Sequence, residues 1–250
     1  MISQNLHIKE SNQGFTLVEL MITLAMSGII VAAIYSAYII QQKTYYTQGQ
    51  VVEMQQNIRA SLELMSSEIR MAGYDPTGKA GASITSATRT QLAFSQDLNG
   101  NGSLNPAAVS PNDNPNENIA YSFAATDDAN GNGIVDTPPA TQPTSISFRR
   151  NSNGGGLQAI AEGTQAIEFY YTLDNGTKTL TPPLDKIQSV DITMLAVASQ
   201  RDPKYTNTET YTTASGVQWT PTLLSGSAAG DNFRRRLLTS SVNLRNHGLK

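Results

Sequence analysis

The sequence predicts an α+β protein, with one very long amino-terminal helix followed by antiparallel strands. Three observations predict it. From Phe15 to Ile40 the chain is apolar and carries a single charged side chain, Glu19. No proline interrupts the stretch from Phe15 to Gly73. Beyond Gly73 a three-and-four spacing of apolar residues gives way to alternation, as in Ile167-Glu168-Phe169-Tyr170-Tyr171 and Val190-Asp191-Ile192-Thr193-Met194. Helix first and strands afterwards argues against a parallel α/β architecture.

Residues 1–14 form a polar leader that ends before the apolar run begins. Residues 15–40 are 26 in number, and about 20 suffice to cross a bilayer core as a helix. A carboxylate inside such a segment costs roughly 2.5–3.5 kcal/mol on insertion scales, so Glu19 needs a reason to be there. Residues 41–73 extend the helix in amphipathic form. Val51, Met54, Ile58, Leu62, Met65, Ile69 and Ala72 make an apolar stripe between charged and amide residues. One helix of about 55–60 residues, roughly 85 Å, is expected, with Gly49 its weakest point and Gly73 its stop. The stripe suits packing on the protein's own sheet better than a coiled-coil seam, because it lasts about three heptads and then enters a β domain.

Residues 74–250 are expected to form a β-rich domain with long loops at 97–118 and 124–143. Candidate strands are Thr90–Ser95, Ile119–Phe123, Ser145–Arg149, Leu157–Ala161, Ala166–Leu173, Ile187–Val197, Thr208–Val217 and Arg234–Leu244. Asp174-Asn175-Gly176 suits a hairpin turn, and Pro182-Pro183 blocks a central strand.

Composition narrows the function classes. The 250 residues carry a net charge of −3, which gives no field for a polyanion, so no nucleic-acid partner is expected. There is no cysteine, hence no disulfide and no thiolate metal site. Of the two histidines, His7 lies in the leader and His247 three residues from the end, which all but excludes a Ser-His-Asp triad or a histidine zinc site. No paired-carboxylate or phosphate-loop motif stands out. These residues point to a structural protein rather than an enzyme; a membrane-anchored enzyme is the weakest alternative.

The junction Gly14-Phe15-Thr16-Leu17-Val18-Glu19, with the apolar run behind it, resembles the processing site of the type IV prepilin superfamily. The resemblance implies that a prepilin peptidase cuts after Gly14 and methylates the new amino terminus on Phe15, which keeps its positive charge. Glu19 lies four residues on, about 6 Å along the axis and on nearly the same face. In a filament it would pair with the Phe15 amine of a neighbouring subunit, which relieves both charges in hydrocarbon. An ordinary signal anchor fits less well, since it places basic residues directly before the apolar run and a small-residue cleavage site after it.

Two further segments resemble the PilW-type minor pilins of that superfamily. Glu68-Ile69-Arg70-Met71-Ala72-Gly73-Tyr74 looks like their helix exit, and Phe233 through Asn246 looks like their closing strand. Major pilins usually carry a mid-membrane proline and often a disulfide; Gly28 and Ser36 occupy that region here, and cysteine is absent. The resemblance therefore implies a type IV pilin-like fold and a minor subunit that primes or supports pilus assembly near the tip. Its partners would be the prepilin peptidase, other major and minor pilins, and the bacterial inner membrane. The globular domain would lie in the periplasm and then at the cell surface. The alternatives are a type II secretion pseudopilin and a membrane-tethered calcium-dependent adhesin or binding module.

Two loops have calcium-like spacing. Asp128, Asn130, Asn132 and Asp136 stand at positions one, three, five and nine of an EF-hand-type loop, with Gly133 at position six and the Ile134 carbonyl at position seven. Position twelve, normally a bidentate glutamate, is Pro139. Asp97, Asn99, Asn101, Ser103 and Asn105 repeat the spacing with one carboxylate; Asp113 and Glu117 are candidate extra ligands. Such loops suit a weak structural Ca2+ site, although Asn-Gly clusters are also ordinary turns. Arg234-Arg235-Arg236 suits solvated strand arginines or a subunit contact better than DNA, since no aromatic platform adjoins it.

Overall fold

The computed structural model describes residues 14–104, 116–136, 146–153 and 155–246. The chain divides into two compact units, residues 1–48 and 49–250. Helix α1, Leu17–Arg70, contributes to both.

In the first unit the helix is apolar and uncovered. No residue from Gly14 to Gln48 is buried, and Leu17, Leu24, Ile29 and Val31 are all well exposed. This is the one helix among the described residues that is long and apolar enough to cross a membrane, with a mean hydropathy of 2.3 over 18 residues.

In the second unit the same helix is amphipathic. Met54, Ile58, Leu62, Met65 and Ile69 are buried, together with Ala72 just beyond the helix end, so the stripe is consumed inside the chain. The helix proper ends at Arg70, three residues before the expected stop. Tighter turns then run from Met71 N to the Glu68 carbonyl and from Ala72 N to that of Ile69. Gly73, at φ +75°, closes the exit, and its N–H bonds the Ser95 carbonyl at 2.9 Å.

Two antiparallel sheets follow. The first joins, in spatial order, β1 (Ile84–Ala87), β2 (Leu92–Ser95), β3 (Asn118–Ser122), β4 (Ser147–Ser152) and β5 (Leu157–Glu162). The second has the order β11 (Arg235–Asn243), β8 (Ile187–Val197), β6 (Thr164–Leu173) and β7 (Lys178–Thr179). A small hairpin of β9 (Tyr211–Thr212) and β10 (Gln218–Trp219) leads into the short helix α2 (Pro221–Ser225). Alternation sends Val190, Ile192 and Met194 of β8 to the core that also holds the α1 stripe. Leu195 faces the other way, into a second cluster with Ile134, Ala166, Tyr211, Trp219 and Leu224. The second sheet is therefore covered on both faces.

Several expected strands differ in extent. The span Thr208–Val217 pairs only at Tyr211–Thr212, because Gly216 N bonds the Thr213 carbonyl and folds the segment into a hairpin. The Thr90 end of the second strand is spent in a turn, with Gln91 N bonded to Thr88 Oγ1 at 3.0 Å. β4 runs three residues beyond Arg149, and Ser145 lies outside the described residues. β1, β7 and α2 carry too few residues for periodicity to show them.

One ion pair fastens α1 to the first sheet. Arg150 of β4 donates from Nε and Nη2 to the two oxygens of Glu68, each at 2.9 Å, and the Tyr121 hydroxyl also donates to Glu68. Burial and the Glu68 charge push the Tyr121 phenol well above the usual tyrosine range, so it stays a donor. Removing one partner strands the other in a largely buried place. Glu68→Ala should cost about 2–4 kcal/mol in urea or thermal unfolding of the full chain. Glu63→Ala, one turn away and exposed, should change stability by less than about 0.5 kcal/mol.

Candidate functional site

The amino-terminal site is built on the first turn of α1. Gly14 and Phe15 are exposed, Phe15 at 88%. Thr16 precedes the first helical residue and acts as its cap: Glu19 N–H donates to Thr16 Oγ1 at 3.2 Å. Glu19 answers, accepting at Oε2 from Thr16 N at 3.1 Å and from Thr16 Oγ1 at 3.0 Å. This reciprocal arrangement is a capping box, and Thr16-Leu17-Val18-Glu19 is its sequence signature. Sequence reasoning assigned Glu19 only to a partner chain and missed Thr16, although the threonine-x-x-glutamate spacing was there to read.

The aliphatic hydroxyls of the run bond its own backbone. Thr23 Oγ1 bonds the Glu19 carbonyl at 2.9 Å, Ser27 Oγ that of Thr23 at 2.7 Å, and Ser36 Oγ that of Ala32 at 2.8 Å. Such back-bonding is what a helix in hydrocarbon requires of its hydroxyls. Glu19 is thus the one group between Phe15 and Ile40 with a full charge still to be matched.

The two Asn/Asp/Gly loops share one conformation. In the second, Asp128 accepts from the N–H groups of Asn132 and Gly133, each at 3.0 Å. Asn130 Oδ1 accepts from Asn132 N, Asn132 Oδ1 from Ile134 N, and Asp136 from Ala129 N and the Asn130 amide. In the first, Asp97 accepts from Gly100, Asn101 and Gly102; Asn99 accepts from Asn101 N, and Asn101 from Ser103 N. Gly133 has φ +80°, and a Cβ there would collide with the Ile167 carbonyl. Ile134 bridges to Ala166 through bonds made by Gly133 O and Val135 N, so its own carbonyl takes no part in that bridge. Asn105, Asp113 and Pro139 lie outside the described residues. Glu117 is buried across from Gln96, whose N–H bonds its carbonyl at 2.8 Å. Among the described residues no group of three or more carboxylate, histidine or cysteine side chains is placed to hold a metal.

The three arginines at the start of the closing strand have separate fates. Arg234 pairs with Asp202 at 2.8 Å and lies over the Tyr205 ring; the hydrogen bond from Arg234 holds the Asp202 carboxyl below its ordinary range. Arg235 is buried, bonded to Gln165 at 2.7 Å and to both oxygens of Asp231 at 2.6 Å. Only Arg236 is exposed. The expectation of solvated arginines therefore fails for Arg235, whose alternation sends it into the protein rather than into water.

Two family descriptions match this chain. The prokaryotic N-terminal methylation motif matches residues 10–35, and the type IV pilus-assembly protein W family matches residues 147–246, from β4 through β11. The chain carries a prepilin-type methylation motif and a PilW-family domain. The methylation motif spans Gly14, Phe15, Thr16 and Glu19, and it implies peptidase processing and pilin partners. Both calcium-like loops fall between the two matched segments. Among solved structures, a type IV-like pilin from Thermus thermophilus is similar at 14% identity, covering 77% of this chain and 97% of its own, with a TM-score of 0.41. Comparison with curated proteins gives no match.

Proposed function

We propose that this PilW-domain pilin is a minor subunit that primes assembly of a type IV pilus, near its tip, and acts by packing rather than by catalysis. It is cut between Gly14 and Phe15 and methylated on Phe15. The observation that supports this reading best is the bare run of α1: an apolar helix without burial from Gly14 to Gln48, with one carboxylate on its first turn. Such a surface is stable only in a bilayer or against other apolar helices. A bundle of like helices offers both an apolar setting and a neighbouring ammonium for Glu19. The absence of proline from α1 supports a minor rather than a bulk subunit.

Glu19 carries two jobs in this reading, and they separate by substitution. Glu19→Gln keeps a side chain that can complete the capping box but removes the charge. Thr16→Ala removes the cap, at about 0.5–2 kcal/mol of helix-end stability, and keeps the charge. Counted by electron microscopy, pili should be lost with Glu19→Gln and retained with Thr16→Ala. Piliation unchanged by Glu19→Gln would contradict a docking charge.

We propose further that the Asp128 loop takes a weak structural Ca2+ through Asp128, Asn130, Asn132, the Ile134 carbonyl and Asp136. Its two carboxylates make it the better site than the Asp97 loop. At saturating Ca2+, about 100 times Kd, the ion adds roughly 2.7 kcal/mol to the folded state. The melting temperature should therefore fall on adding a chelator, and Asp128→Asn should abolish most of the difference. An unchanged melting temperature would remove the proposal.

A further inference from the structure

An edge strand exposes a row of unpaired N–H and C=O groups, and proteins generally blunt such edges. The two main sheets have four edges, and three are blunted. β1 is four residues long and shifts register between Ile84 and Ser86. β5 carries an extra residue, Ile160, and its carbonyl accepts from Ser61 of α1 at 2.6 Å. β7 has two residues. β11 has none of these protections. It pairs with β8 over nine residues, from Arg235–Val197 to Asn243–Ser189, without a shift. From Leu237 to Leu244 it contains neither charge nor proline.

The bonds at its two ends show which peptide groups point outward. The Arg234 carbonyl accepts from Ala198 N, and Leu244 N donates to the Gln188 carbonyl, each at 2.9 Å. Both fit the same unbroken register, so the even-numbered residues between them bond β8. The N–H and C=O groups of Leu237, Thr239, Ser241 and Asn243 face away from the sheet, and among the described residues none bonds to them. Thr239, Ser241 and Asn243 are also exposed.

The surroundings have a sign. A groove of about 350 Å³ runs between α1 and the middle of β11, lined by Arg59, Glu63 and Arg70 opposite Leu238, Thr239 and Ser240. Arg236 and Arg245 are exposed at either end of the strand. Four arginines thus frame the edge, against Glu63.

We propose that β11 is a docking edge, which receives an extended segment of a different protein subunit as an added strand. Backbone bonds to Leu237, Thr239 and Ser241 supply the affinity, and carboxylates on the incoming segment meet the arginines. A second copy of this chain would set Arg59, Arg70 and Arg236 against themselves, a like-charge contact that disfavours it. The proposal stands on the strand's register and charge, independently of the pilus reading.

The test places a photo-crosslinking amino acid at Ser241 of the full-length chain in its native cells, with Leu223 of α2 as an exposed control position. The expected product from Ser241 is a crosslink to an acidic, strand-forming segment of another subunit, absent from Leu223. Combined Arg59→Glu and Arg236→Glu should lower its yield about tenfold with the melting temperature retained. Thr239→Pro, which deletes an outward N–H and spares the bonds to β8, should do the same. No crosslink, a crosslink to residues 235–243 of a second copy, or a yield indifferent to both variants would overturn the proposal.

Discussion

The protein depends on a single helix that must be stable in two kinds of surroundings. From Leu17 to Ile40 every face of α1 is apolar, and the hydroxyls of Thr23, Ser27 and Ser36 donate to carbonyls of the helix itself. From Met54 to Ile69 it keeps one apolar stripe and buries it in a core. The change is written in composition alone: one charge in 26 residues, then Glu53, Arg59, Glu63, Glu68 and Arg70. Each end of α1 is finished by a carboxylate in a different way. Glu19 closes the first turn through Thr16 and keeps its charge for a partner; Glu68 spends its charge on Arg150 and Tyr121 within the domain.

The difference between those carboxylates follows from their settings. Glu68 is largely buried and has three donors, so its charge is matched on folding and adds a fixed orientation between helix and sheet. Glu19 has only neutral donors from Thr16, which orient a carboxylate without neutralising it. In hydrocarbon that residual charge favours association with a cation, and an ammonium on a neighbouring Phe15 would supply one. In the β domain the second sheet is covered on both faces, and among the described residues β11 is its one long unprotected edge.

Much of this was legible in the residues. The unbroken helix, its stripe and the long strands β6, β8 and β11 follow from periodicity, because each spans enough residues for a period to show. The junction at Gly14-Phe15 and the closing strand carried the family resemblance, and the methylation and PilW matches cover both. The short elements were not legible. β1, β7 and the β9–β10 hairpin are fixed by turns such as that at Gly216 rather than by pattern. Arg235 was misjudged because three consecutive arginines read as surface; Asp231 lies only four residues before it, but Gln165 comes from β6, 70 residues away, and only the fold brings it there. The capping box at Thr16 was legible, but the carboxylate had been assigned to a single task.

The most direct test of the account is intact-mass and peptide mass spectrometry of the protein taken from its native cells. A mature chain that starts at Phe15 with a methylated amine is the predicted result. A chain that retains residues 1–14, or one cut elsewhere within the apolar run, would contradict it.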